Sequence, residues 1–218
     1  MSIKENLQRI KTSLPSGVTL VAVTKTHPPE KLMEVYNAGH RIFGENKVQE
    51  MCDKYEALPK DIEWHLIGHL QTNKVKYIAP FATLIHGVDS MKLLQEINKQ
   101  ALKYERVINC LLQIYIANED TKFGLSFEEA ELILNSEALK QLKNIRVIGM
   151  MGMATNTEDT QEIRKEFRSL KFFFNKQQAL NPQLSTLSMG MSSDYSIAIE
   201  EGSNMIRVGS SVFGSRIV

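Results

Sequence analysis

The feature that most constrains the fold of this chain is an alternation running from one end to the other. Short apolar, often β-branched runs are separated by longer segments of helical periodicity. The runs are LVAVT from Leu20, RIFG from Arg41, WHLIG from Trp64, TLIHGV from Thr83, INCLLQIYI from Ile108, IRVIGMM from Ile145, LSTLSM from Leu184 and NMIRVG from Asn204, eight in all. Near-continuous apolar runs of this length read as strands buried on both faces, hence as a parallel sheet covered by helices. The intervening segments supply those helices. Leu32, Val35 and Tyr36 share one helical face before Gly39, and Leu93, Leu94, Ile97 and Ala101 share another. Ser126 and Glu129 have capping-box spacing, and Ser192 precedes a short helix that Gly202 ends. The segment from Asn156 to Asn181 is the longest polar, helix-like connection. Eight such units without a break in composition predict one α/β domain over residues 1–218. A closed (β/α)8 TIM barrel is the economical arrangement, although an open doubly wound sheet shares the pattern.

Composition narrows the function classes. With 26 basic and 25 acidic side chains the formal net charge is +1, and there is no block of like charges to form an electrostatic footprint for nucleic acid or membrane. The expected partner is a small molecule. Cys52 and Cys110 do not form a disulfide framework, the N-terminus lacks the apolar core of a signal peptide, and no run approaches the roughly 20 apolar residues of a membrane span. A cytoplasmic protein is expected.

In a barrel of this kind the chemistry gathers at the C-terminal strand ends and the loops that follow them. Here those positions are polar or glycine-rich: Lys25 after the first strand, Glu45 and Asn46 in GENKVQE, His65 leading into GHLQTNK, then SMGMSSD and RVGSSVFG. The last two loops place Ser192, Ser193, Gly209, Ser210 and Ser211 where unpaired amides and hydroxyls suit an anion, the recurrent phosphate position of this fold. Serine capping plus a glycine turn is the simpler alternative for each loop alone. Lys25 is by type either a solvated strand end or an amine placed for Schiff-base chemistry, and a phosphate site across the mouth suggests an aldehyde carrying a phosphate. Arg207 stands just before the phosphate loop, either as a barrel salt-bridge residue or as a partner for a pyridine nitrogen that it cannot protonate. His65 and His69 are four apart with Gly68 between them, a poor geometry for a zinc pair. The methionines Met150, Met151, Met153, Met189 and Met191 are expected to pack around the barrel top.

The motifs LVAVTKTHPPEKL, FGENKVQE, WHLIGHLQTNK, LLQIYIANEDTKFGL, VIGMMGMAT and LSMGMSSDYSIAIEEGSNMIRVGSSVFGSR together resemble those of the pyridoxal-phosphate homeostasis protein family over nearly the whole chain. The resemblance implies a barrel similar to the N-terminal domain of bacterial alanine racemase, holding pyridoxal 5′-phosphate (PLP) as a Schiff base on Lys25. It implies phosphate contacts at Ser192, Gly209 and Ser210, and a pyridine-facing Arg207. It also places Asn46, His65 and Met189 on the same mouth. Two departures from the family pattern stand out: Ser210 replaces a common threonine, and His69 a common proline. The expected role is that of a carrier or regulator of free PLP that serves PLP-dependent apo-enzymes. The alternative is a low-activity amino-acid racemase. Alanine racemase draws a second base from a C-terminal domain, and a chain stopping at Val218 is expected to lack it and to be a monomer.

Overall fold

The computed structural model describes residues 2–117 and 123–214; the stretch 118–122 of the LLQIYIANEDTKFGL motif lies outside them. Eight parallel strands close into a barrel in chain order: β1 (Thr19–Val23), β2 (Ile42–Glu45), β3 (Glu63–Leu66), β4 (Leu84–Val88), β5 (Ile108–Gln113), β6 (Ile145–Met151), β7 (Thr186–Ser188) and β8 (Met205–Val208). Closure comes from β8 pairing with β1, in a register that sets Thr19 opposite Met205 and Val21 opposite Arg207. The closed barrel expected from the pattern is the one observed, and the open sheet is set aside.

The outer layer is helical: α1 (Ile3–Ser13), α2 (Pro29–Asn37), α3 (Val48–Ala57), a 3-10 turn (Thr72–Lys74) leading into α4 (Val75–Ile78), α5 (Met91–Lys103), α6 (Phe127–Leu134), α7 (Glu137–Lys140), α8 (Thr160–Leu180), α9 (Tyr195–Glu200) and α10 (Ser210–Phe213). Their starts follow from local chemistry. Ser126 and Glu129 form the reciprocal capping box of α6, Asp159 caps α8, and Pro28 and Pro29 open α2, where the missing proline N–H costs nothing. Helix α1 packs between α2 and α10, and the Asn6 side chain donates to the Val212 carbonyl at 3.2 Å. A helix preceding β1 thus supplies the covering layer beside β8, and the short α10 is left at the barrel mouth.

The pleat sorts each strand into two faces. Outward residues such as Leu20, Ala22, Phe43, Trp64, Leu66 and Ile206 join Leu93, Leu94 and Ile97 of α5 and Phe167, Leu170 and Phe174 of α8 in the large sheet-to-helix core. Each fully buried Leu, Ile or Phe there contributes about 1.5–3 kcal/mol by leaving water. Inward residues Val21, Leu84, Leu111, Met151 and Met205 make a smaller cluster that fills the barrel floor. Above it the inward side chains become polar.

Candidate functional site

Those polar side chains lie beneath a cavity of about 790 Å3 at the C-terminal end of the strands. Strand parity explains the first occupant. Val21 and Val23 face inward along β1, so Lys25 continues the same face beyond the strand end and lines the cavity. The next residue turns the chain sharply. Thr26 has φ +67°, the His27 amide donates to the Thr24 carbonyl at 3.1 Å, and Pro28 then stands as the N-cap of α2. The His27 ring also lines the cavity and stacks on Phe213, with centroids 4.5 Å apart.

Beside Lys25 rather than across the mouth from it, since β8 pairs with β1, the loops after β7 and β8 meet. Ser192 Oγ accepts the Gly209 amide at 3.2 Å, so the two loops are bonded to each other, and Ser192, Ser193, Gly209, Ser210 and Ser211 share the cavity wall. Ser210 and Ser211 open α10, where no preceding helical carbonyl serves their amides. Gly190 lets the loop after β7 pack against α9: its φ is +93°, and a Cβ there would stand 2.7 Å from the Ala198 Cβ. Ser192 and Ser193 precede the helix start rather than forming it. Helix α9 begins at Tyr195 after Asp194, whose carboxylate accepts the Met191 amide at 2.6 Å.

The floor is a chain of buried polar groups. Arg207 donates through Nη1 to the Ser188 carbonyl (2.9 Å) and Oγ (2.6 Å), and through Nη2 to the Gly152 carbonyl (3.1 Å). Burial lowers its pKa to about 10, the Asp194 carboxylate opposing, so it remains a cation at neutral pH. Ser188 Oγ lies 3.2 Å from His86 Nδ1, and His86 Nε2 lies 3.1 Å from His65 Nδ1. Arginine only donates, so Ser188 Oγ accepts from Arg207. We assign the serine proton to His86 Nδ1, in which case His86 donates through Nε2–H to His65 Nδ1 and both neutral imidazoles carry the proton on Nε2. Burial holds His65 down to about 3 and His86 well below its ordinary value, with the neighbouring imidazole and Arg207 adding to the effect on His86.

On the remaining side Asn46, Ile67, Gly68, His69, Gln113 and Phe123 complete the wall. Gly68 is required there, since a Cβ would fall 2.3 Å from the Asn46 carbonyl oxygen. His69 stacks on Phe123 at 5.1 Å and places Nδ1 3.3 Å from Asp89. Glu45 turns the other way. Its carboxylate accepts from Thr24 Oγ1 (2.8 Å), the Asn46 amide (2.8 Å) and Lys54 Nζ (2.6 Å), in the layer between strands and α3.

Of the residues expected at the mouth, Lys25, Asn46, Ser192, Arg207, Gly209 and Ser210 line the cavity. His65 and Met189 do not. His65 faces inward but lies one layer below Ile67, and Met189 follows the inward Ser188 and so points out into the helix layer. Among the methionines Met153 and Met191 reach the cavity, while Met150 and Met151 are buried on opposite faces of β6. Gln113, at the inward end of β5, was identifiable by parity; Phe123 and His27 were not, because they reach the cavity from loops.

A family model for the N-terminal domain of alanine racemase matches residues 1–217. The pyridoxal phosphate homeostasis protein of Aquifex aeolicus is 42% identical over 199 residues, covering 90% of this chain and 86% of the relative. That of Vibrio alginolyticus is 35% identical over 230 residues, covering 99% and 98%. The chain belongs to the pyridoxal phosphate homeostasis protein family. Among solved structures, PipY of Synechococcus elongatus with PLP bound has a TM-score of 0.88 at 36% identity, over 98% of this chain and 100% of that one. Alanine racemase of Clostridium difficile 630 has a TM-score of 0.77 at 14% identity, and the shared region is 56% of that chain; this likeness concerns the fold alone. Within the homeostasis family, the His69 position gains a physical account here: the imidazole, in the loop after β3, joins Asp89 in the loop after β4 and Phe123 in the loop after β5.

Proposed function

We propose that this member of the family binds PLP in the barrel mouth, holding it as a Schiff base on Lys25, and serves intracellular PLP homeostasis as a carrier or regulator of the free cofactor. The observation that carries this reading is one cavity shared by a lysine amine, two hydroxyl-rich loops and a buried arginine. Among the described residues lining it, the charged side chains are the cations Lys25 and Arg207, with His27 and His69 beside them, a donor set matched to an anionic ligand. Its volume is in the range of small cofactor sites. Ser192, Gly209 and Ser210 would hold the phosphate, Lys25 the aldehyde carbon and Arg207 the pyridine nitrogen, with Asn46 on the rim. When bound, PLP supplies an electrophilic carbon that captures amines reversibly. Arg207, already fixed by Ser188 and Gly152, offers its remaining N–H groups as donors but no proton. A ring held there would be a weak electron sink, which favours capture and release over turnover; the name shared by the relatives supports the same reading. A single barrel domain in the cytoplasm that hands PLP to apo-enzymes, without catalysing a reaction of its own, completes the proposal.

The test is reconstitution with PLP. A visible absorption band should form, and borohydride should fix a phosphopyridoxyl mass on the Lys25 peptide. A label on Lys74, or an intact Lys25→Ala protein that keeps the band, sinks the assignment. Exchange of the L-alanine α-proton in deuterated water then addresses the racemase alternative: rates near the typical enzymatic 10 s−1 or so, lost in Lys25→Ala, would overturn the non-enzyme reading.

A further inference from the structure

Two costly features surround Lys25, and neither belongs to the cavity. Thr26 is a β-branched residue at φ +67°, at the second central position of the turn Thr24–His27, where glycine or asparagine is the usual occupant. On the other side of β1 and β2, the amine of Lys54 is buried against three oxygens: the Thr24 carbonyl at 2.8 Å, Glu45 at 2.6 Å and Glu50 at 3.3 Å. A buried ion cluster is weak evidence for stability, since desolvation offsets most of its attraction, and left-handed strain costs energy outright.

Both features converge on the two peptide groups that flank Lys25. Glu50 accepts the Thr26 amide at 3.0 Å, and Thr24 gives its hydroxyl to Glu45 at 2.8 Å and its carbonyl to Lys54. The residues on either side of Lys25 are therefore tied to one cluster outside the strand, while Lys25 lines the cavity inside it. Helix α3 carries Glu50 and Lys54 one turn apart, so a single rigid element holds both attachment points.

Resting on the PLP reading above, we propose that Glu50 is a positioning residue for Lys25. Braced by Lys54 and Glu45, its carboxylate holds the Thr26 amide and keeps the strained turn that ends β1 with the lysine on the cavity side. Without it, Thr26 relaxes out of the left-handed region and Lys25 leaves the geometry for capture.

A double-mutant cycle tests this, with Glu50→Ala and Glu50→Gln made in the native background and in Thr26→Gly, where the left-handed turn carries no side-chain strain. The readouts are the rate of PLP capture on Lys25, trapped by borohydride, and the exchange rate of the residue 26 amide in the PLP-free protein. Melting temperature reports whether each variant is folded. Glu50→Ala should slow capture by about tenfold and speed amide exchange at least about tenfold, the scale of one charge-assisted hydrogen bond. Glu50→Gln, whose amide oxygen still accepts, should stay within about threefold, and in Thr26→Gly the Glu50→Ala effect on capture should shrink below about threefold. A folded Glu50→Ala protein that captures PLP at the native rate overturns the proposal. So does an equal loss in both backgrounds, which marks a general structural role. Failure of the native protein to label at Lys25 instead overturns the PLP reading, and the amide exchange still decides whether Glu50 holds the turn.

Discussion

The buried imidazoles make the fold acid-sensitive in a window that can be worked out from the structure. His40, His65 and His86 are all buried, and burial holds the first at about 4, the second at about 3 and the third well below its ordinary value. In the unfolded chain each returns to about 6.5. Between the folded and unfolded values the unfolded chain binds more protons, so stability rises with pH. The contribution is complete above the unfolded value and is lost progressively as pH falls towards the folded one. From pH 7 to pH 5 each imidazole loses about 2 kcal/mol, and the three together about 6 kcal/mol, against a typical total of about 5–15 kcal/mol. Carboxylates held low by partners, such as Glu50 and Glu201, keep their full stabilising contribution above their unfolded range and begin to lose it only as pH falls into that range, which leaves this window to histidine. Urea unfolding followed by the fluorescence of the single tryptophan, the fully buried Trp64, measures the difference at the two pH values. Replacing His40 by Gln, away from the cavity, should reduce the acid loss by about 2 kcal/mol. A total loss below about 2 kcal/mol, or an unchanged loss in His40→Gln, would refute the reasoning.

Three further outcomes follow from the same contacts. Lys54→Met leaves Glu45, whose side chain is fully buried, without its counter-ion and should cost about 3–5 kcal/mol in urea unfolding; adding Glu45→Gln should recover most of it. Gly68→Ala sets a methyl against the Asn46 carbonyl and should cost about 1–3 kcal/mol while lowering PLP affinity, as calorimetry and titration of the visible band would show. Long-range nitrogen–proton NMR at neutral pH should find His65 and His86 as Nε2–H tautomers, and Nδ1–H signals for either would reverse the assigned direction of the Arg207–Ser188–His86–His65 chain.

Much of the site was legible because strand ends are local. An apolar run followed by a polar or glycine-rich loop announces itself within a few residues, which is why Lys25, Asn46, Arg207, Gly209 and Ser210 were all identifiable. Face assignment is harder. Ser192 stood out as a helix start, yet it contacts the amide of Gly209, a partner 17 residues away. Met189 and His65 needed the parity and depth of each inward side chain, and depth depends on how far each strand is staggered against the next. Met51, Lys54 and Leu58 share a helical face, a sign that Lys54 points into the core, but nothing local identifies Glu45, Glu50 and Thr24 as its partners.

By itself the sequence determined the number and order of the strands, the helical character of the main connections, the stops at Gly39 and Gly202 and the residues that end the strands, because these rest on periodicity and capping within one or two turns of chain; α1, α4 and α7 were not read from it. Only the tertiary structure decided which of those residues face one cavity, that Arg207 is wired through Ser188 to two buried imidazoles, and that a lysine cluster outside the barrel holds the turn after Lys25. Those facts depend on ring closure and strand stagger, which bring together groups distant in sequence, His86 and Ser188 being 102 residues apart and Lys25 and Ser210 farther still, and no local pattern encodes them.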